Sequence, residues 1–240
     1  MIPHEFFELW VYLAATPLAG LTLTLLMYAV GWWCYTRCRM HPLANPVLIA
    51  VALIVAVLVA TRTSYDTYFT GAQFVHFLLG PAVVGLAVPL AREWGNVRRL
   101  AKPVAGALTV GMLVAVVSAL AIAKLLGASP VTLLSLAPKS VTAPIAMGIA
   151  QKLGGLPALA AVFAVATGIF GASIGRYVLN ACRIDDWRAR GFALGLAAHG
   201  IGTARAFQVD AEAGAFASLA FALHGLIAAA LFPLVYLALR

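Results

Sequence analysis

Long apolar runs alternate with short polar loops along most of the chain. The runs cover residues 9–34, 46–60, 72–91, 103–126, 157–180 and 215–239. Most are long enough to cross the hydrocarbon core of a bilayer as a helix, which takes about 20 residues. The ten-residue alternation of an outer-membrane barrel is absent from the sequence. The pattern therefore predicts an all-α, polytopic membrane protein with about seven to eight hydrophobic segments in one domain, residues 1–240.

One apolar segment, residues 134–150, is broken by two prolines, Pro138 and Pro144. Its polar members are Lys139, Ser140 and Thr142. Because Pro144 lacks an amide hydrogen, the carbonyl four residues earlier loses its helical partner. Broken backbone at membrane depth needs surrounding protein or a water-filled cavity. The segment predicts either a binding site or a kinked helix whose lysine reaches the lipid headgroups.

A second segment, residues 193–206, combines glycines with polar side chains. Gly200 and Gly202 make a continuous helix unfavourable there. The segment also carries His199, Thr203 and Arg205. It is predicted to be a second broken helix.

A third break is predicted at Pro81, because residues 79–89 resemble residues 136–144. Proline-interrupted segments in corresponding places are typical of transporter binding sites, and such a pair indicates an internal repeat. The alternative is chance similarity between two segments rich in alanine, proline and glycine.

Charge distribution changes the interpretation of the high net charge of +8. In a soluble protein this charge would suggest nucleic acid, but here lysine and arginine cluster in short loops, as the positive-inside rule describes. The rule predicts an N-terminus outside and a C-terminus inside. A simple crossing by residues 130–154 would place Arg183, Arg188 and Arg190 outside. We therefore predict that this segment is re-entrant, entering and leaving on the outer side.

No enzyme or metal motif competes with a membrane function. The sequence lacks a nucleophile elbow, a complete dinucleotide loop and a carboxylate pair in an apolar setting. Cys34 and Cys38 lie near His41, but further metal ligands are missing, so no metal or cofactor is predicted. Glycines four apart, at 171 and 175 and at 191 and 195, predict close helix packing within the subunit or, as an alternative, in a homo-oligomer.

The broken segments contain cations without matching carboxylates. Lys139 and Arg205 have no acidic residue beside them in an apolar run. A charge at this depth usually faces a partner or a pathway. With the hydroxyls of Ser140, Thr142 and Thr203, the pattern favours a site for a small carboxylate bearing a second oxygen. Arg205 could instead anchor a helix end, and His199 could relay a proton or act as a structural hydrogen bonder.

Several motifs together resemble those of the LrgB/CidB family of bacterial membrane proteins. They are SLAPKSVTAPIAM at 135–147, LGGLP at 153–157, ARGFALG at 189–195, AHGIGTAR at 198–205, GAFASLA at 214–220 and, nearer the N-terminus, SYDTY at 64–68. The resemblance covers nearly the whole chain and implies the cytoplasmic (inner) membrane of a bacterium. The family pattern differs at three positions, where this chain has Val83, Ala143 and Ala213.

The resemblance implies two functions of different kinds. Plant relatives exchange glycolate and glycerate, and bacterial members are linked to pyruvate, which fits the anion site predicted above. The expected function is thus proton-coupled transport of small 2-hydroxy or 2-keto monocarboxylates. The alternative is an antiholin-like regulator of murein hydrolase export and autolysis that acts with a small LrgA/CidA-type membrane partner.

Overall fold

The computed structural model describes residues 17–41, 44–78, 94–238 and the isolated positions 81 and 91. All regular structure in these residues is helical, which confirms the all-α prediction. Four helices among them are long and apolar enough to cross a membrane, and a fifth apolar helix, Pro46–Ala60, is shorter. The predicted number of seven to eight segments is not confirmed.

The helices are numbered here in chain order. They are α1 (Pro17–Arg37), α2 (Pro46–Ala60), α3 (Tyr65–Phe77), α4 (Trp94–Arg99), α5 (Ala101–Leu125), α6 (Pro130–Leu136), α7 (Ala143–Leu153), α8 (Pro157–Ala181), α9 (Trp187–Val209) and α10 (Ala211–Ala238). The chain forms two compact units, Met1–Gly85 and Leu86–Arg240.

The first unit contains α1, α2 and α3. The hydroxyls of Thr24 on α1 and Tyr68 on α3 are hydrogen-bonded at 2.8 Å, which joins these two helices. Asn45 caps the N-terminus of α2, because its side chain accepts hydrogen bonds from two backbone amides of the first turn. The third span was predicted to begin at residue 72, but α3 already begins at Tyr65. Most of the stretch 79–93, including the neighbours of Pro81, lies outside the described residues, so the break predicted at Pro81 stays a prediction.

In the second unit, α6 and α7 form a helical hairpin, called hairpin 1. The backbone amide of Leu156, just after α7, donates to the hydroxyl of Ser135 on α6 at 2.8 Å. Residues 21 apart therefore meet, although a segment crossing the membrane would carry them to opposite faces. Hairpin 1 enters and leaves at one end, as predicted for a re-entrant segment; which side of the membrane this is stays a prediction.

Local sequence explains where the two arms of hairpin 1 begin and end. Ser129 caps α6 by accepting from the amide of Thr132, and Pro130 occupies its first turn. Pro144 lies in the first turn of α7, where an amide hydrogen would be unpaired in any case. Gly154, with φ of 84°, ends α7 in the left-handed conformation that suits glycine. Between the arms, Pro138 lies in the buried turn.

Helix α9 reverses direction at Ala198 and His199, forming a second hairpin, hairpin 2. The backbone of both residues is non-helical, and His199 has φ of 41° and ψ of −133°. A Cβ atom added at Gly202 would lie 3.1 Å from the carbonyl carbon of Leu194. A continuous helix would separate these residues by about 12 Å along its axis. The chain therefore folds back on itself.

The break that we predicted at Gly200 and Gly202 is thus displaced toward the N-terminus. His199 itself takes the positive φ of the turn, while Gly200 and Gly202 belong to the returning arm. Gly202 contributes through its size, because it lets the two arms of hairpin 2 touch. The prediction of an inner C-terminus depends on the number of segments that cross the membrane, and a hairpin that returns to its starting side changes that number. The orientation of the termini stays a prediction.

Helix α10 holds hairpin 2 in place through close backbone contacts. A Cβ atom added at Gly195 would lie 2.7 Å from the Cα of Ala217, and one at Gly191 would lie 2.7 Å from the Cα of Ala213. The outgoing arm of hairpin 2 and α10 therefore run in parallel at very short distance. The four-residue glycine spacing is accordingly used for packing within this chain.

The second unit contains two stretches of equal length with the same order of elements. Residues 130–181 and 187–238 each consist of a hairpin followed by a long helix. In both hairpins a Leu-Ala pair, at 136–137 and 196–197, precedes the basic residue of the tip, Lys139 or His199. The repeat predicted between residues 79–89 and 136–144 differs from this one, and its first copy lies outside the described residues.

The two hairpins should be labelled from opposite sides of the membrane. Hairpin 1 has its base at the start of α8, and hairpin 2 has its base beyond the other end of this 25-residue helix. In a background lacking Cys34, Cys38 and Cys182, we expect single cysteines at Ser129 and at the exposed Leu156 to react with the same externally added impermeant maleimide. A cysteine at Asp185 is the control and should react only after permeabilisation. Labelling of positions 129 and 156 from different sides would contradict the hairpin.

Candidate functional site

The tips of both hairpins meet α10 deep in the second unit. Ile145, just after the tip of hairpin 1, lies against Gly225 of α10, where an added Cβ atom would be 3.2 Å from its Cδ1. The neighbouring His224 is hydrogen-bonded to Leu196 of hairpin 2 and lies within electrostatic range of Lys139 and His199. The fold therefore gathers three basic side chains from three separate elements, although 85 residues separate the first from the last.

At the tip of hairpin 1, Lys139 is half-buried and donates from Nζ to Ser140 Oγ at 3.3 Å. Ser140 is itself buried. Within the described residues Lys139 forms no salt bridge. Thr142 is the N-cap residue of α7, but its hydroxyl makes no capping hydrogen bond. The tip therefore presents an ammonium group and a hydroxyl that the helix does not use.

At the tip of hairpin 2, the buried imidazole of His199 is fixed by a hydrogen bond. Its Nε2 lies 2.8 Å from the carbonyl oxygen of Ala164 on α8. Because a carbonyl only accepts, Nε2 carries the hydrogen. Gly168 provides the space, since an added Cβ atom would lie 2.7 Å from the ring Cε1. Thr203 is also buried, and its hydroxyl donates to the carbonyl of His199 at 2.8 Å.

The backbone of His199 is strained. Its φ of 41° lies in the left-handed region that favours glycine, and such conformations cost about 1–3 kcal/mol in other residues. Two neighbouring glycines, Gly200 and Gly202, could have relieved the strain, yet the turn falls on the histidine. The hydrogen bonds to Ala164 and from Thr203 hold the strained turn in place.

Arg205 lies away from the tip of hairpin 2, on the returning arm. It is half-buried, and its Nη1 donates to Gln208 Oε1 at 3.3 Å, one turn farther toward the base of the hairpin. This position fits the anchor interpretation of Arg205 better than membership of the anion site. The site role predicted for this residue stays a prediction.

Charged residues hold the base of hairpin 2. Asp186 caps α9 by accepting from the amides of Arg188 and Ala189, and it pairs with the Arg188 guanidinium at 2.6 Å. Arg188 also lies 3.9 Å from Glu212 at the start of α10. The hydrogen bonds from Arg188 lower the pKa of Asp186 from 3.8 to about 2. The stabilisation is complete above pH 3.8 and is lost as the pH falls through about 2.

His224 is a further candidate for the site, and the sequence pattern did not indicate it. It lies within an ordinary apolar run, and nothing in its neighbourhood breaks the helix. In the structure it is 2% exposed, and its Nδ1 lies 2.9 Å from the carbonyl oxygen of Leu196. The one signal in the sequence was the position of His224 in the middle of an apolar run, because an ionisable residue inside a membrane segment usually faces a partner or a pathway.

Comparison with known proteins identifies the family. The model of the LrgB-like family matches residues 24–238, nearly the whole chain. The chain belongs to the LrgB-like family. The motifs that carry the family resemblance include residues 135–147 and 198–205, which contain both hairpin tips. The family's membrane character agrees with the apolar helices described above.

The alignments with curated relatives cover most of this chain and most of each relative. An uncharacterized protein of Bacillus subtilis, YxaC, is 37% identical over 81% of this chain and 84% of its own. The holin-like protein CidB of Staphylococcus epidermidis is 32% identical, and that of Staphylococcus aureus is 30% identical. Both alignments cover 82% of this chain and 86% of the relative. No solved structure matches the chain.

Proposed function

We propose that this LrgB-like protein carries small 2-hydroxy or 2-keto monocarboxylates, of the glycolate, glycerate, lactate or pyruvate class, across the cytoplasmic membrane together with protons. The observation that carries the proposal is the position of Lys139. It lies at a hairpin tip, within electrostatic range of the buried His224, and forms no salt bridge within the described residues. A cation at membrane depth needs a counter-charge, and a substrate anion supplies it.

Helix direction supports an anion site at the same place. Both returning arms, α7 and residues 200–209 of α9, begin at a hairpin tip. The N-terminal ends of helices carry partial positive charge and unpaired amides, which bind carboxylates and phosphates. Discontinuous helices whose N-termini point to an anionic substrate are a recurring arrangement in transporters. We assign the substrate carboxylate to Lys139 Nζ and the Thr142 hydroxyl.

Proton coupling follows from the charge of the substrate. Uptake of an anion against a negative-inside potential costs about 2.3 kcal/mol per 100 mV for each charge. A proton carried with the anion removes this cost. Histidine is the side chain best suited to exchange a proton in the physiological range, so we assign this role to His199 or His224.

A second candidate function is favoured by the comparisons with named relatives, which support it better than they support transport. The staphylococcal relatives at 30–32% identity are holin-like proteins. On this proposal the chain regulates murein hydrolase export as an antiholin-like protein, together with a small holin-like membrane partner, and has no flux of its own. The hairpin tips would then serve the association with that partner.

Uptake by proteoliposomes that contain only this protein distinguishes the two functions. We expect saturable uptake of labelled glycolate and pyruvate, faster when the outside is more acidic than the inside, because the proton gradient drives a coupled carrier. Protein-free liposomes provide the background, and a proton ionophore should abolish the acceleration. Uptake at the background rate by folded protein would contradict the carrier and favour the holin-like function.

A further inference from the structure

One ring nitrogen of His224 forms a hydrogen bond to the backbone, and the other forms none within the described residues. The reversal of hairpin 2 interrupts the helical hydrogen bonds near Ala198, so carbonyls just before it need other partners. The carbonyl of Leu196 finds one in His224 Nδ1, at 2.9 Å. Because a carbonyl only accepts, Nδ1 must carry the hydrogen. In the neutral ring, Nε2 is then a hydrogen-bond acceptor.

The second nitrogen points to a role beyond packing. Within the part of the chain that the structure describes, His224 Nε2 makes no hydrogen bond. The ring is nearly inaccessible, yet Nε2 is not among the buried side-chain atoms that lack a partner. This nitrogen therefore keeps some open surface. The side chains whose charges reach His224 are Lys139 from hairpin 1 and His199 from hairpin 2.

We infer that His224 determines which carboxylates the site prefers, by accepting a hydrogen bond from the 2-hydroxyl group of the substrate. The inference rests on the proposed transport function. A 2-hydroxy acid has a hydroxyl hydrogen to give to Nε2, whereas the oxygen of a 2-keto acid can only accept. With neutral His224, the keto acid would leave two acceptors facing each other without a hydrogen between them.

The preference should depend on pH. When His224 takes up a proton, Nε2 becomes a donor and can bond to a keto oxygen as well as to a hydroxyl oxygen. Both ionisable groups that act on His224, Lys139 and His199, are basic, and no carboxylate of the described residues acts on it. The bound substrate is therefore the negative charge that favours the protonated ring. Selectivity for hydroxy acids is expected to fall as the medium becomes acidic.

Competition between lactate and pyruvate tests the inference, because the two acids differ only at the second carbon. The probe is labelled lactate entering proteoliposomes that contain the full chain, with either unlabelled acid as competitor. At mildly alkaline pH we expect lactate to compete about tenfold better, the difference expected when one buried hydrogen bond is made in one complex and left unmade in the other. As the pH is lowered, this difference should shrink, because protonated His224 can donate to either acid.

Replacement of His224 by asparagine separates the two nitrogens. The asparagine amide can still donate to the carbonyl of Leu196, but nothing replaces Nε2. For His224→Asn we expect lactate to bind less tightly than in the wild-type protein, with a lactate-to-pyruvate ratio near one at mildly alkaline and at lower pH. His224→Gln provides a second variant if His224→Asn does not fold. Its amide can turn either its oxygen or its nitrogen to the substrate, so the ratio should again lose its pH dependence.

The outcomes separate this inference from the function on which it rests. If the wild-type protein carries neither acid, the transport function fails and the inference fails with it. If the wild-type protein carries both acids without preference, the inference alone is wrong. The same holds if a folded His224→Asn variant keeps both the wild-type ratio and its pH dependence.

Discussion

Lys139→Met is expected to weaken substrate binding by about one to two orders of magnitude, the loss of a charge-assisted hydrogen bond of about 1.5–3 kcal/mol. The fold should survive, because within the described residues the ammonium group has no carboxylate to leave unpaired. Methionine has a similar length and can pack among the apolar neighbours of the tip. The measurement is the concentration dependence of uptake, with thermal stability in detergent measured in parallel.

Two further variants make the Lys139 result interpretable. Lys152→Met is the matched control. Lys152 is exposed near the base of the same hairpin, and its replacement by methionine removes an equal charge. It should transport like the wild-type protein. Lys139→Arg keeps the charge but changes its geometry, so we expect intermediate affinity. Normal uptake by a folded Lys139→Met protein would refute the anion site and support a lysine that reaches the lipid headgroups.

Gly195→Ala is expected to destabilise the protein by about 3 kcal/mol or more, because a single methyl group would enter a contact between two backbones. The added Cβ atom would lie 2.7 Å from the Cα of Ala217, and backbone atoms cannot rotate away as a side chain can. Relief requires the outgoing arm of hairpin 2 to separate from α10. That movement would also break the hydrogen bond between His224 Nδ1 and the carbonyl of Leu196, which lies at the same contact.

The control for this substitution is Gly148→Ala on α7. An added Cβ atom at Gly148 meets no other atom within 4 Å, so the change should be neutral or stabilising by about 0.5–1 kcal/mol through helix propensity. Size-exclusion profiles and thermal unfolding in detergent measure both variants. Equal stability of Gly195→Ala and Gly148→Ala would contradict the close contact between Gly195 of α9 and Ala217 of α10.

Sequence patterns located the long helices well. The predicted span 103–126 is α5 at Ala101–Leu125, and the predicted span 157–180 is α8 at Pro157–Ala181. An apolar run of this length has one stable conformation in a bilayer, so tertiary structure adds little to it. Hairpin 1 was also predictable, because two prolines marked the break and the positive loop charges decided between crossing and returning.

Features that depend on distant residues could not be predicted in this way. The glycines near residue 200 indicated a break, but not a complete reversal at His199, which needs the carbonyl of Ala164 and the space at Gly168. His224 looked ordinary because its partner, the carbonyl of Leu196, is 28 residues away and becomes available only through that reversal. Periodicity and spacing carry no information about such pairs.

The repeated order of hairpin and long helix in residues 130–181 and 187–238 has a consequence for conformational energy. Because the hairpin bases lie at opposite ends of α8, the two copies run in opposite directions. We expect that a movement which opens the tips toward one face of the membrane has a counterpart that opens them toward the other face. Two such conformers would exchange similar contacts between similar elements, so we expect their free energies to be close. Only the chemical differences between the copies, such as lysine at one tip and histidine at the other, bias the equilibrium between them.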